Sequence, residues 1–359
     1  MLLGASLAQV LHELGISRVR LDRTTFSKLR DSKTDFLQWL AVLILNNKVL
    51  ICRETGSSKE IYEKHGIKLL FGKDSIPYEA AAIWYTHSSQ CREDVTDEVK
   101  EKLHRISRDL CRKVMFIIDV AFWHEHTEIE KNELIEQIVL TMKTVRSYLY
   151  DFSIAITSAS DEFIEYFNRA TQGMQHNVTI TRVGLREFLK NVFRLGLVEK
   201  PRVAVLDPEA EFRLTTVDVK SYNVYILGGI IDKERVDKFG TLRLYNLHRL
   251  WEFNIPRFKI TIGDSIIGVP DRINKIVNII LAVLYEGLDI EQAIILHQSK
   301  RDRIYRWMYE IQKYSRKVVE NNRVKNIVTQ DFIKELQSKY PLDEKSISKV
   351  FKSLNVVVE

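Results

Sequence analysis

Three apolar runs that each stop abruptly at a turn constrain this chain most. Val203-Ala204-Val205-Leu206 ends in Asp207-Pro208, and Val224-Tyr225-Ile226-Leu227 ends in Gly228-Gly229. Phe258-Lys259-Ile260-Thr261-Ile262 leads into Ser265-Ile266-Ile267-Gly268-Val269-Pro270. Short apolar runs bounded by turn residues read as strands buried on both faces. Strands of that kind build an open α/β sheet, and ligands of such sheets sit at the carboxyl ends, where turn residues and free backbone groups gather.

The rest of the chain fits that frame. Val114-Met115-Phe116-Ile117-Ile118 ends at Asp119 in the same way, and residues 152–157 supply another strand. Thr127 with Glu130 has capping-box spacing, and Leu134, Ile138, Met142, Val145 and Leu149 then share one side of a helix. Residues 161–170 and 183–193 read as helices, the second ending near Gly196, and a further helical period begins after Pro270. Strand and helix alternate from residue 114 to 284, which predicts a mainly parallel sheet covered on both faces. Residues 1–95 read as a small α+β module, with helices over 5–14 and 36–45, β-like runs at 48–52 and 67–71, and a turn at Gly56-Ser57-Ser58. Val99, Leu103, Ile106 and Leu110 mark a connecting helix into a core domain spanning 96–295. Residues 296–359 read as a basic helical extension: a long helical pattern over 289–319 carries Tyr305, Trp307 and Tyr309, and shorter helices start after Thr329 and Asp343.

At 359 residues and 45% hydrophobic, the chain has room for a sizeable core. The net charge is +6, and residues 296–359 alone carry an excess of that size; they read as an RNA-backbone contact or as solvated helix faces. No apolar run approaches the roughly 18 residues of a membrane span, which points to a soluble, cytoplasmic protein. Cys52, Cys91 and Cys111 are odd in number and widely spaced, so they suggest neither a disulfide framework nor a zinc site. There is no G-x-G-x-x-G or P-loop, no G-x-S-x-G elbow, no H-E-x-x-H and no C-x-x-C, so dinucleotide, kinase, hydrolase and zinc chemistries lack support. His124-Glu125-His126 invites a metal, but without a C-x-x-C partner a loop role is the better reading.

Gly228-Gly229-Ile230-Ile231-Asp232-Lys233, joined to Leu206-Asp207-Pro208 and Ile266-Ile267-Gly268-Val269-Pro270, resembles the archaeal tRNA N1-methyltransferases acting on purine nine. These are members of the SPOUT superfamily, and the wording is most similar to their adenine-acting members. The resemblance implies an α/β fold with a SPOUT-type trefoil-knotted, mainly parallel sheet, S-adenosyl-L-methionine as co-substrate, tRNA as partner, no metal and a monomer. It implies that Leu206, Leu227, Gly228, Gly229, Asp232, Ile266, Ile267 and Val269 line the methyl-donor site, apolar walls suiting an adenine ring and a sulfonium methyl. It matches Asp232 to a proposed proton acceptor, where a loop carboxylate paired with Lys233 or Arg235 is the plainer reading. It likewise matches Asp119 to a family acidic position, a second candidate catalytic carboxylate that helps shape the base pocket, with a cap or turn role as the alternative. Lys143 and Arg146, three residues apart on one side of a helix, fall in a region implicated in tRNA contact, as neighbouring phosphate ligands or as a solvated face. Lys233 and Arg235 are the further candidate tRNA contacts.

Overall fold

The structure, a computed structural model, describes residues 2–32, 34–231, 239–320 and 323–359. It comprises two compact units, Met1–Ala204 with Tyr222–Ile255, and Val205–Ser221 with Pro256–Glu359.

The first unit opens with α1 (Leu3–Glu13), β1 (Arg18–Leu21), α2 (Arg23–Asp31), α3 (Phe36–Leu45), β2 (Val49–Ser58), β3 (Glu60–Lys64), β4 (Ile67–Leu70) and β5 (Ile76–Trp84). The strands form a mixed sheet in the order β2–β5–β1–β4–β3. The turn expected at Gly56-Ser57-Ser58 lies instead inside β2, where the pairing with β5 shifts register between Arg53 and Gly56. Strand β5 escapes the periodicity reading because its middle is Ala80-Ala81-Ala82, small residues of low strand preference. They are fully buried, and neighbours on both sides, β1 and β2, hold them extended.

Helix α3, Phe-Leu-Gln-Trp-Leu-Ala-Val-Leu-Ile-Leu, is apolar nearly all round and therefore central. Asp35 caps it by accepting from the Gln38 backbone N–H. The buried Gln38 side chain accepts from Gly4 N at 2.9 Å and donates to the carbonyls of Arg146 and Leu149. A Cβ at Gly4 would lie 2.7 Å from the Gln38 nitrogen, so α1 and α3 cross at the closest distance glycine permits. One amide thus fastens the N-terminal module to the strand-helix part of the same unit.

The cysteines depart from expectation. Cys52 of β2 and Cys91 form a disulfide across 39 residues of sequence. Spacing alone carries no hint of it, because the pairing arises when residues 91–94 return beside β2, with Cys52 bridging Asp94. Cys111 is free and buried, and burial pushes its thiol up to about 12.

Then follow α4 (Thr96–Cys111), β6 (Met115–Asp119), α5 (Glu128–Arg146), β7 (Ile154–Thr157), α6 (Asp161–Ala170), β8 (Thr179–Ile180), α7 (Leu185–Leu195) and β9 (Val203–Leu206). After β10 (Phe212–Arg213) and α8 (Thr216–Ser221) come β11 (Val224–Gly228) and α9 (Gly240–Leu247). The Thr127–Glu130 capping box is present at the start of α5. In the first unit β11, β6, β7 and β8 lie side by side in that order, all parallel. All five residues of β6 are buried, as its unbroken apolar run predicts.

The second unit holds β10, β12 (Arg257–Lys259) and β9 side by side and parallel. It continues with α10 (Ile273–Tyr285), α11 (Ile290–His297), α12 (Lys300–Tyr314), β13 (Arg316–Glu320), β14 (Arg323–Val328), α13 (Gln330–Lys339), α14 (Glu344–Leu354) and β15 (Val356–Val358). The single helical pattern expected over 289–319 is broken. Gln298 is extended, Ser299 starts α12 with its own capping box to Asp302, and the β-branched Val318-Val319 pair belongs to a strand. The extension is therefore not purely helical: β13, β14 and β15 form a small sheet, antiparallel then parallel. Helices α13 and α14 do start after Thr329 and Asp343, each of which caps its helix. Among the described residues no helix is long and apolar enough to cross a membrane.

Candidate active site

In the first unit the strand ends line up. Gly228 of β11 pairs in register with Asp119 of β6, and Asp119 with Thr157 of β7, so three carboxyl-terminal residues share one row. Beyond that row the chain turns three times, which makes it the polar edge of the sheet. Leu227 is buried just beneath it. Gly229 follows at very short range: its N–H donates to the Asp119 carbonyl at 2.8 Å, and a Cβ would lie 2.9 Å from that oxygen. Its lack of a side chain is therefore demanded first by the neighbouring strand.

The Asp119 carboxylate is fully engaged. Thr157 Oγ1 and Ser158 Oγ donate to Oδ2 at 2.7 and 2.6 Å, while Ala121 N donates to Oδ1 at 3.1 Å and His248 Nε2 faces it at 3.2 Å. With its side chain 0% exposed, Asp119 ties together the ends of β6 and β7 and the segment after α9. This is a positioning geometry, with no lone pair turned to a substrate.

The loop after β6 clasps the one after β11. Ile231 N donates to His126 Nε2 at 3.0 Å, so that nitrogen carries the lone pair and the ring proton sits on Nδ1. Arg243 of α9 pairs with Glu125 at 2.7 Å, and its guanidinium lies 4.4 Å from the centre of the Phe122 ring. Asp232, Lys233 and Arg235 fall between these two fastenings in sequence and lie outside the described residues. Glu125 and His126 thus clamp the two loops together, and among the described residues no cluster of ligating side chains could hold a metal ion.

Lys143 is exposed on α5, but Arg146 is not. The Arg146 guanidinium makes a two-pronged pair with Asp151, both bonds 2.7 Å, and donates to the Gln175 carbonyl. Spent on these partners and buried, it acts as an internal strut, so as placed it cannot join Lys143 on neighbouring phosphates.

In the second unit Leu206 ends β9 beside Phe258 of β12. Asp207 is buried and accepts from Arg257 Nη1 at 2.6 Å and from Glu209 N. The chain beyond β12 forms a tight loop: Ile262 and Ser265 bridge each other, and Ser265 Oγ accepts from Ile267 N at 3.0 Å. Val269 N donates to the Ile266 carbonyl at 3.0 Å. Ile266 and Ile267 are 44% and 41% exposed. Two large apolar side chains are thus held outward on an ordered loop, an exposed apolar face.

Two family models match the chain. One, described as tRNA (guanine(9)-N(1))-methyltransferase TRM10/TRM10A, covers residues 82–250, and the other, the tRNA (adenine(9)-N1)-methyltransferase N-terminal domain, covers residues 1–79. This chain belongs to the tRNA position-9 N1-methyltransferase family. To the tRNA (adenine(9)-N1)-methyltransferase of Sulfolobus acidocaldarius it is 29% identical over 320 residues, covering 89% of this chain and 92% of the relative. To the tRNA (guanine(9)-/adenine(9)-N1)-methyltransferase of Thermococcus kodakarensis it is 26% identical over 355 residues, covering 97% and 87%. The crystal structure of Sulfolobus acidocaldarius Trm10 in complex with S-adenosylhomocysteine superimposes with a TM-score of 0.69 over 99% of each chain at 24% identity, which establishes a common fold. For this member of the position-9 N1-methyltransferase family, the sequence singled out Asp119 and the motif glycines Gly228 and Gly229, which the structure brings side by side at the strand ends. The clamp residue His126 was visible only as a metal candidate, and His248 carried no signal, since its partner is distant in sequence.

Proposed function

We propose that the chain is a tRNA (adenine(9)-N1)-methyltransferase that moves the methyl group of S-adenosyl-L-methionine to N1 of the purine at tRNA position 9. The family match across both the N-terminal module and the core carries this reading, and the aligned strand ends at Thr157, Asp119 and Gly228 supply the ligand edge it needs. The N1 lone pair attacks the sulfonium methyl carbon, the carbon–sulfur bond breaks with its electrons on sulfur, and S-adenosylhomocysteine leaves. Holding methyl and N1 in line accounts for most of such catalysis. Leu206, Leu227, Gly228, Gly229, Ile266, Ile267 and Val269 contact the donor, with no metal.

Asp232 takes a role that depends on the base. Guanine N1 carries a proton at neutral pH, so a carboxylate must accept it. Adenine N1 offers its lone pair directly, and there Asp232 orients the ring and stabilises the cationic product. Dual adenine and guanine specificity is the second reading, favoured by the dual naming of the Thermococcus kodakarensis relative. Lys143, Lys233 and Arg235, with the N-terminal module and residues 296–359, contact tRNA by shape and phosphate. The protein works in the cytoplasm as a monomer, its strand–helix segments threaded as the trefoil knot.

The test is transfer from labelled S-adenosylmethionine to two tRNA transcripts differing only in adenine or guanine at position 9. Label in N1-methyladenosine alone fits the first reading, and label in both bases the second. Label in neither, with tRNA still bound, makes the chain a non-catalytic tRNA-binding protein. Asp232→Asn is expected to impair guanine methylation far more than adenine methylation, and equal losses would remove the proton-acceptor role.

A further inference from the structure

The loop between β12 and α10 is held from the C-terminal side. Arg306 of α12 is only 5% exposed, and its Nη1 donates to the carbonyl oxygens of Ile262 at 3.1 Å and Ile267 at 3.4 Å. Its Nη2 pairs with Glu310, and the rings of Tyr309 and Tyr340 flank the guanidinium at 5.1 and 5.7 Å. Gln298, 6% exposed, donates from Nε2 to the Gly268 carbonyl at 2.7 Å. Gly268 itself sits at φ +77°, and a Cβ there would lie 2.7 Å from Arg306 Cβ and 2.8 Å from the Asp302 carbonyl. The glycine of the Ile-Ile-Gly-Val-Pro motif is thus required by contact with α12, as well as by its left-handed backbone.

We propose that Arg306, assisted by Gln298, is a positioning residue for methyl-donor binding: the C-terminal segment fixes the backbone from which Ile266 and Ile267 meet the donor. The inference rests on the reading above that these two isoleucines line the donor site. Nη1 and Nη2 of the buried guanidinium find their acceptors in the two loop carbonyls and Glu310, and moving the loop would strand these donors away from water, so Arg306 and the loop carbonyls hold one another in a single arrangement. The ordering of the loop is settled during folding, and the donor meets a wall already in place, which is worth affinity. Residues 296–359, read from charge alone as an RNA grip, contain a structural part of the donor site.

The experiment is calorimetric titration of the full-length chain with S-adenosylhomocysteine, alongside tRNA binding by filter retention, for the unaltered chain and for Arg306→Met, Arg306→Lys and Gln298→Ala. Loss of charged hydrogen bonds to two loop carbonyls is expected to weaken S-adenosylhomocysteine binding by about tenfold or more in Arg306→Met. Arg306→Lys keeps the charge beside Glu310 but loses the fork, and is expected to recover part of the affinity. Binding of tRNA is expected to stay within about twofold throughout. Arg306→Met leaves Glu310 buried without its partner, so if that variant fails to fold, Arg306→Lys and Gln298→Ala decide. If both bind S-adenosylhomocysteine as the unaltered chain does, the inference is overturned while the donor reading stands. If the unaltered chain binds none, the donor reading fails and takes this inference with it.

Discussion

Adjacent glycines at the end of β11 should respond very differently to one added methyl group. At Gly229 an alanine Cβ meets Val120 Cγ1 at 2.8 Å and the Asp119 carbonyl oxygen at 2.9 Å. The valine can rotate, but the oxygen belongs to the backbone of β6 and already accepts the Gly229 N–H. Relief requires the two strand ends to part by a few tenths of an ångström. Overpacking of this kind costs about 1–3 kcal/mol, and weakening the buried hydrogen bond adds about 1 kcal/mol. Gly229→Ala should therefore lose about 2–4 kcal/mol, which for a unit of this size is a fall of roughly 5–15 °C in melting temperature. At Gly228 the Cβ meets Ile230 Cδ1 at 2.9 Å, the free end of a side chain, and Thr241 Oγ1 at 3.4 Å. Its φ is not in the left-handed region, so Gly228→Ala should cost less than about 1 kcal/mol. Circular-dichroism melting of both variants, with S-adenosylhomocysteine calorimetry on each, is the assay. Equal melting of Gly229→Ala and the parent, or an equal fall in Gly228→Ala, would refute the close-approach argument.

Asp119→Asn places an amide where four donors converge, and should lower stability by about 1–3 kcal/mol, read as a shifted urea midpoint; an unchanged midpoint would show that the carboxylate network is not holding the loops. Reducing the Cys52–Cys91 disulfide, which closes a loop of 39 residues, should cost about 4 kcal/mol by chain entropy, seen as a lower first-unit melting temperature in dithiothreitol. Burial pushes the Asp22 carboxyl up, but hydrogen bonds from Thr25, His87 and the Trp84 backbone outweigh it and hold the group below its ordinary value. Asp35 behaves likewise, with Lys64, Tyr62 and the Gln38 backbone outweighing burial. A depressed carboxyl gives stability that is complete above the ordinary value of 3.8 and lost as pH falls through the folded value. The urea midpoint of the first unit should therefore drop below about pH 4, and Asp22→Asn should flatten that slope.

Much of the fold was legible wherever burial imposed a period. The runs at β6, β9 and β11 are apolar on both faces, and α5 and α10 repeat at helical spacing, so local pattern and tertiary role agree. The pattern failed where neighbours override local preference. Alanines make β5 a strand only because two strands flank it, and Ser299 breaks a helical stretch whose apolar spacing continues across it. For the candidate site, the motif pointed to the glycines, while their reasons lay elsewhere. Gly229 answers to β6 and Gly268 to α12, and neither contact is visible in a string of residues. Arg146 illustrates the converse, since a basic residue on a polar-looking helix turn was matched by Asp151, a partner that a charge pattern ranks no differently from solvent.

The parallel pairing of β6 with β11 has a consequence for synthesis. Met115 pairs with Val224, so on the ribosome β6 waits for every residue between them before its second neighbour exists. At roughly 5–20 residues per second that interval is on the order of 10 s. Throughout it, one edge of Met-Phe-Ile-Ile-Asp has no partner strand, and such an edge is the kind that pairs with other nascent chains. The gap between two strands in the sequence thus sets a period of vulnerability, and slower translation would lengthen it.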